Sequence, residues 1–121
     1  MTGRALVLLR EGLLTLAAIG GVICIVLVLA AQLFHVSIIM FTTGSMAPTI
    51  PAGSAALVRE IPATQIRVGD VLTVDRPGAL PITHRVVGVA PGPDPAQRSV
   101  TMRGDANDAD DPEPYLIDRG R

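Results

Sequence analysis

A long stretch of the chain carries no charged side chain. From Gly12 to Val58, 47 consecutive residues contain no Asp, Glu, Lys or Arg. The first part of this stretch, residues 13–33, is apolar except for one threonine, two glycines and one glutamine. As an α-helix rising ~1.5 Å per residue, such a segment covers the ~30 Å hydrocarbon core of a bilayer. The sequence therefore predicts a transmembrane helix over residues 13–34, with the lipid bilayer as a partner.

The arginines on either side of the apolar segment predict its orientation. Arg4 and Arg10 precede it, and the next basic residue is Arg59. Because basic residues are enriched on the cytoplasmic side of a membrane span, residues 1–12 are expected in the cytoplasm and residues 35–121 outside a single-pass cell membrane anchor. A cleaved secretory signal peptide is the alternative, although its apolar region usually runs only about 7–15 residues.

The composition changes after the apolar segment. All ten prolines and eight of the twelve glycines lie in residues 44–121, which disfavours long helices. Short runs rich in Val, Ile and Leu are typical of strands bounded by turns, and these runs are residues 55–58, 70–74, 82–89 and 99–103. Residues 76–79 and 90–95 combine Pro and Gly as hairpin turns do. The predicted fold class is mainly β, with an N-terminal transmembrane helix and a small antiparallel β domain over residues 35–121.

The composition also excludes several kinds of chemistry. All ten basic residues are arginines, so a lysine nucleophile or base is excluded and the two histidines are the only bases that titrate near neutral pH. The balance of 10 basic and 11 acidic groups predicts no nucleic-acid partner. The single cysteine, Cys24, lies in the apolar segment and has no partner for an intramolecular disulfide. No metal and no cofactor is expected.

Ser45 is a candidate nucleophile. It lies in the segment TGSMAPTIP, residues 43–51, shortly after the predicted span. The preceding glycine and the nearby proline favour a bent, non-helical backbone. Such a backbone exposes the hydroxyl, but a juxtamembrane turn has the same composition. A catalytic serine also needs a companion base.

His84 is the candidate base. Period-two alternation in its predicted strand places Ile82, His84 and Val86 on one face, so the histidine shares that face with apolar neighbours. A partly buried histidine near a carboxylate can titrate close to the working pH of a general base. A hydrogen-bonded core histidine gives the same pattern. His35, at the end of the apolar segment, is interpreted as an interfacial residue.

Four aspartates follow the last predicted strand and supply candidates for a third group. The segment from Gly104 to Pro112 reads GDANDADDP. A carboxylate on the imidazole Nδ1 fixes the tautomer and stabilises the imidazolium, so an aspartate near His84 would activate a serine–histidine pair. Acidic clusters are also common as solvated turns, and this alternative stays open on composition alone.

These motifs occur in the order found in signal peptidase I. The segment around Ser45, residues 69–72 (GDVL), residues 83–87 (THRVV) and the aspartate-rich segment together resemble the archaeal and endoplasmic-reticulum type of this family. In that type a histidine stands where the commoner bacterial type has its lysine base, which agrees with the absence of lysine. The resemblance extends from about residue 13 to residue 112 and implies a β domain of the signal-peptidase/LexA-like type.

The resemblance implies a role for each candidate residue. Ser45 would attack the scissile carbonyl, His84 would take its proton, and Asp111 would orient His84. Asp105 also matches a family position and is the second candidate for the third role. The implied activity is that of a serine endopeptidase whose partners are the signal peptides of secreted preproteins, cut after small residues at the first and third positions before the cut.

Two further expectations concern the surroundings of the site. The apolar residues near Ser45 are expected to place it at the membrane interface; they are Met40, Phe41, Met46 and Ile50. Ten residues follow Asp111, fewer than in relatives, so the domain is either minimal or truncated, and an open sheet edge would invite a partner subunit. The competing hypothesis is a catalytically inactive, membrane-anchored β module that binds export components.

Overall fold

The computed structural model describes residues 2–121. One long helix, α1, runs from Gly3 to Leu33, and it forms a unit separate from residues 36–121. α1 is long and apolar enough to cross a membrane, with a mean hydropathy of 2.9 in its most apolar window. It begins before the predicted span because residues 3–12 are mostly strong helix formers such as Ala, Leu, Arg and Glu. The division of the chain between cytoplasm, membrane and exterior stays a prediction.

The second unit is built on a four-stranded antiparallel sheet. Its strands stand in the order β4–β5–β6–β7, and they span Val71–Arg76, Ala79–Pro91, Arg98–Arg103 and Tyr115–Ile117. Gly78, at φ 70°, lies in the tight turn between β4 and β5, where glycine adopts a left-handed conformation without a steric penalty. β5 pairs with both β4 and β6, so it is a central strand and can fix a side chain firmly.

Two smaller antiparallel sheets complete this unit. In the first, β1 (Val36–Met40) pairs with β2 (Ala55–Arg59). In the second, β3 (Ile61–Pro62) pairs with β8 (Arg119–Gly120), and a single 3-10 turn, Ala63–Gln65, follows β3. Beyond β8, Arg121 and Thr73 exchange two backbone hydrogen bonds. The last residues of the chain therefore lie along the outer strand β4.

The core of the β unit is a cluster of small and medium-sized apolar side chains. Alternate residues of β4 and β6 point into it, as strand geometry requires. None of its members is more than 6 % exposed, and they are Ala63, Ile66, Leu72, Val74, Val86, Val100 and Met102. Partly buried residues pack against this cluster, namely Ile61, Ile82, Tyr115 and Ile117. The core thus contacts the strands that carry the candidate site.

The predicted fold class is confirmed, because an apolar N-terminal helix is followed by antiparallel sheets. The four predicted strands correspond to β2, β4, β5 and β6, and both predicted turns connect neighbouring strands. Four strands, β1, β3, β7 and β8, were not predicted from the sequence. Three of these have only two or three residues, too few for an alternating pattern, and β1 lies inside the uninterrupted charge-free stretch.

Candidate active site

Ser45 lies in the loop that joins β1 to β2. Backbone hydrogen bonds close the base of this loop, from the Phe41 N–H to the Ser54 carbonyl (2.9 Å) and from the Gly53 N–H to the Phe41 carbonyl (2.7 Å). Met46 is only 1 % exposed, so the residue after the serine is anchored in the interior while Ser45 stays partly exposed. Met46 therefore contributes no apolar surface beside Ser45, and the position of Ser45 at the membrane interface stays a prediction.

The turn that follows β6 holds the backbone of the candidate nucleophile. The Ala106 N–H donates a hydrogen bond of 2.9 Å to the Ser45 carbonyl, and the Asn107 N–H donates one of 2.9 Å to the Gly104 carbonyl. Gly104 is buried, and a β-carbon there would lie 2.5 Å from the Ser45 carbonyl oxygen and 3.1 Å from His84 Nε2. The serine backbone and the histidine ring therefore approach the same buried glycine.

His84 lies within β5 and is buried, as the period-two pattern predicts. Its side chain is 7 % exposed and that of Asp111 is 6 % exposed. Nδ1 of His84 lies 2.8 Å from each carboxylate oxygen of Asp111, whose own N–H donates a 2.8 Å hydrogen bond to the Met102 carbonyl in β6. Because a carboxylate only accepts hydrogen bonds, Nδ1 carries the proton of the neutral ring and Nε2 is left as an acceptor.

Ser45 and His84 line one cavity of about 730 Å³. This volume is within the usual range for a small-ligand or peptide side-chain pocket, roughly 300–1,000 Å³. Much of the wall is apolar and is formed by Ile39, Met40, Phe41, Leu80, Pro81 and Ile82. The hydroxyl of Thr43 also belongs to the cavity and lies 3.5 Å from that of Ser45, the outer limit of a hydrogen bond.

Asp105 is held by a different partner. Its carboxylate accepts two 2.8 Å hydrogen bonds from the Arg85 guanidinium and one of 2.7 Å from the Thr49 hydroxyl. These hydrogen bonds lower the pKa of Asp105 to about 2, and those from Arg85 have the largest effect. The same ion pair raises the pKa of Arg85. Of the two candidate carboxylates, the structure brings Asp111 to His84, whereas Asp105 ties β5 to the loop that carries Ser45.

Two residues that contact the site were not among the residues that the sequence predicts for it. Tyr115, the first residue of β7, donates a 2.9 Å hydrogen bond from its hydroxyl to Oδ2 of Asp111. Arg85 also donates a 2.8 Å hydrogen bond to the Gly69 carbonyl, just before β4. The signals for them were weak: Tyr115 is the only tyrosine of the chain, and strand alternation merely places Arg85 on the face opposite His84.

Within residues 2–121, no three His, Cys, Asp or Glu side chains lie together as metal ligands would. The groups that do come together are a serine on an anchored loop, a buried histidine–carboxylate pair and an apolar cavity. His35, the other histidine, is exposed in the helical unit. The set around His84 suits nucleophilic attack by a hydroxyl whose proton is taken by the imidazole.

One comparison with known proteins gives a match. Residues 14–114 match the family model described as signal peptidase, peptidase S26. The matched range contains Ser45, His84 and both candidate aspartates. Neither the comparison with curated proteins nor the comparison with solved structures gives a significant match.

Proposed function

Because the chain belongs to the signal peptidase S26 family, we propose that it is a membrane-anchored serine endopeptidase that removes signal peptides from secreted preproteins. In this proposal Ser45 is the nucleophile, His84 is the base and Asp111 orients the base. One observation carries it: His84 lines the same cavity as Ser45 while its Nδ1 is held by the buried carboxylate of Asp111 at 2.8 Å.

The first half of the reaction forms an ester on the enzyme. His84 Nε2 takes the proton of the Ser45 hydroxyl while Oγ bonds to the scissile carbonyl carbon, and the carbonyl electron pair moves to oxygen. When this tetrahedral intermediate collapses, the carbon–nitrogen bond breaks and the imidazolium gives its proton to the leaving amine. The mature protein leaves, and the signal peptide stays esterified to Ser45.

The second half regenerates the enzyme. His84 takes a proton from water while the water oxygen attacks the ester carbon, and collapse of the second intermediate returns the proton to Ser45 Oγ. The signal peptide then leaves with a free carboxylate. The backbone N–H of Ser45 is a candidate donor to the oxyanion in both halves. The Thr43 hydroxyl, 3.5 Å from Oγ, is a second candidate donor.

Composition and charge support the histidine type of the enzyme. The chain contains no lysine, so a serine–lysine mechanism has no base. The charge of Asp111 stabilises the imidazolium that forms during each proton transfer. Asp105, with its pKa lowered to about 2 and bound by Arg85, has a structural role in this proposal.

The helix and the cavity support the substrate class. α1 meets the length and hydropathy of a membrane anchor, and Arg4 and Arg10 before its most apolar part favour a cytoplasmic N-terminus. The apolar walls of the cavity suit the small side chains that the family resemblance implies on the N-terminal side of the cut. The cell membrane, with the β unit outside, is therefore the proposed location.

The test is cleavage of a membrane-inserted preprotein by the purified full-length protein in lipid vesicles. N-terminal sequencing of the released product is expected to locate the cut after a small residue. Ser45→Ala and His84→Ala are each expected to lower the rate to background.

The matched controls are Ser54→Ala and His35→Asn, which remove a serine and a histidine from outside the cavity. Asparagine is chosen at position 35 because this residue has a φ of 54°, a conformation that asparagine tolerates. Both controls are expected to cleave at the wild-type rate. Absence of cleavage by the wild-type protein would support the inactive binding module instead. Cleavage that survives Ser45→Ala would contradict the assignment of Ser45 as the nucleophile.

A further inference from the structure

The carboxylate of Asp111 has a second partner besides the histidine. Within residues 2–121 its side chain accepts hydrogen bonds from His84 and from the Tyr115 hydroxyl, the latter on Oδ2 at 2.9 Å. The two donors come from different elements, since His84 lies in β5 and Tyr115 begins β7. The carboxylate is therefore held between two strands of one sheet.

The geometry of the histidine–aspartate contact explains why a second donor matters. Nδ1 of His84 is equally close, 2.8 Å, to both oxygens of Asp111, and it has a single proton to share between them. The terminal torsion of an aspartate is broad, so one donor in this position leaves the carboxylate free to rotate. Asp111 also lies in an irregular segment between β6 and β7. The tyrosine hydroxyl restricts this rotation by fixing Oδ2.

Tyr115 is itself well placed to hold a fixed position. Its backbone pairs with Val100 in β6, and its ring packs against the hydrophobic core. Its hydroxyl contacts the charge of Asp111 at 2.9 Å, and the charge of Arg76 in β4 also acts on it, with the opposite effect on its pKa. Burial has the largest effect on the pKa of Tyr115 and raises it, and the hydrogen bond to Asp111 raises it further. The hydroxyl therefore stays protonated and remains a donor near neutral pH.

We propose that Tyr115 is a positioning residue that acts through Asp111 to hold His84 in the orientation in which Nε2 accepts the Ser45 proton. This inference rests on the proposed function. It also has an electrostatic consequence, because the hydrogen bond from the tyrosine hydroxyl partly offsets the negative charge that the carboxylate presents to the imidazole. Without that bond, more negative charge faces His84, and the protonated, inactive imidazolium is favoured.

The first test compares the Tyr115→Phe variant with the wild-type protein in the preprotein cleavage assay over a range of pH. We expect kcat/KM to fall about tenfold, because the variant loses a hydrogen bond to a charged group. KM is expected to stay within about twofold of the wild-type value. The acidic limb of the kcat/KM profile is expected to move to higher pH. A purely structural role for Tyr115 would lower the rate without moving this limb.

The matched control is Thr101→Val in β6, which also removes one hydroxyl. Within residues 2–121, the Thr101 hydroxyl makes no hydrogen bond to Asp111 or His84. The control variant is expected to leave both kcat/KM and the pH profile unchanged. An unchanged acidic limb for Tyr115→Phe, or an equal change for Thr101→Val, would overturn the inference.

The second test does not depend on activity. In the full-length protein labelled with ¹⁵N-histidine and placed in lipid nanodiscs, the Nδ1 proton of His84 is observed by NMR. Tyr115→Phe is expected to shift this resonance and to speed its exchange with water, whereas Thr101→Val leaves it in place. An identical resonance in Tyr115→Phe would overturn the inference. A changed resonance in a protein that cleaves no preprotein would overturn the proposed function and leave the contact standing.

Discussion

Gly104 provides a sharp test of how the site is assembled, because its missing side chain lets the Ser45 loop and His84 approach each other. A β-carbon at this position would lie 2.5 Å from the Ser45 carbonyl oxygen, 2.7 Å from Asn107 Nδ2 and 3.1 Å from His84 Nε2, whereas ordinary contact begins at 3.4 Å. The closest of these atoms is backbone and accepts the hydrogen bond of Ala106. It cannot move aside without moving the serine.

The Gly104→Ala variant must therefore shift the Ser45 loop by about 1 Å, or shift its own turn away from His84. A misplacement of about 1 Å in a catalytic geometry costs on the order of a hundredfold in rate, which corresponds to about 2.7 kcal/mol of transition-state stabilisation. We expect kcat/KM for preprotein cleavage to fall by about that factor. Overpacking of this kind also costs about 1–3 kcal/mol of folding stability, so thermal unfolding must show that the variant is folded at the assay temperature.

Gly88→Ala is the matched control for this prediction. Gly88 lies in β5, the strand that carries His84, and a β-carbon there would meet Thr101 at 3.6 Å, an ordinary contact. We expect this variant to cleave within about twofold of the wild-type rate, since the new methyl group displaces nothing. A folded Gly104→Ala protein with near-wild-type activity, or an equal loss in Gly88→Ala, would refute the argument from close approach.

Two further predictions concern stability. Because the pKa of Asp105 is lowered from 3.8 to about 2, its carboxylate stabilises the folded state above about pH 4, and this contribution is lost as the pH falls toward 2. The difference in melting temperature between the wild-type protein and Asp105→Asn is therefore expected to shrink over that interval. A constant difference would contradict the pairing of Asp105 with Arg85. Met102 is fully buried, so Met102→Ala is expected to lower the free energy of unfolding, measured with denaturant, by about 2–5 kcal/mol. Leu57 is 75 % exposed, and Leu57→Ala is expected to lower it by less than about 1 kcal/mol. Equal losses in the two variants would argue against the assigned core.

Local sequence pattern was sufficient for three of the four strands of the main sheet, β4, β5 and β6, but not for the three-residue strand β7. The alternation of residues 82–89 and the two turns with Pro and Gly are local features, and they predicted β5 and its connections to β4 and β6. The pairing of β3 with β8 joins two-residue strands from opposite ends of the β unit. No local pattern can predict such a pair, because its stability comes from the surrounding fold.

The candidate site was also predictable only in part, because local sequence features do not determine which distant residues come together. Local features, a bent backbone and an apolar strand face, made Ser45 and His84 candidates, and the resemblance to signal peptidase I gave them their roles. The choice between Asp105 and Asp111 followed from neither, because His84 and Arg85 are neighbours on opposite faces of β5 and each has a carboxylate partner. Which aspartate reaches which face depends on the path of the irregular segment after β6. That path is determined by packing and not by composition.

The most direct measurement of the central claim is covalent labelling of the nucleophile. A peptide diphenyl phosphonate that ends in the phosphonate analogue of alanine reacts with an activated serine, whose Oγ displaces one phenoxide and forms a stable bond to phosphorus. Tandem mass spectrometry of the full-length protein in lipid is expected to find the label on Ser45, with labelling slowed at least a hundredfold by His84→Ala, as for loss of a catalytic base. Absence of label, or equal labelling of the other serines, Ser37, Ser54 and Ser99, would contradict a nucleophile activated by the His84–Asp111 pair.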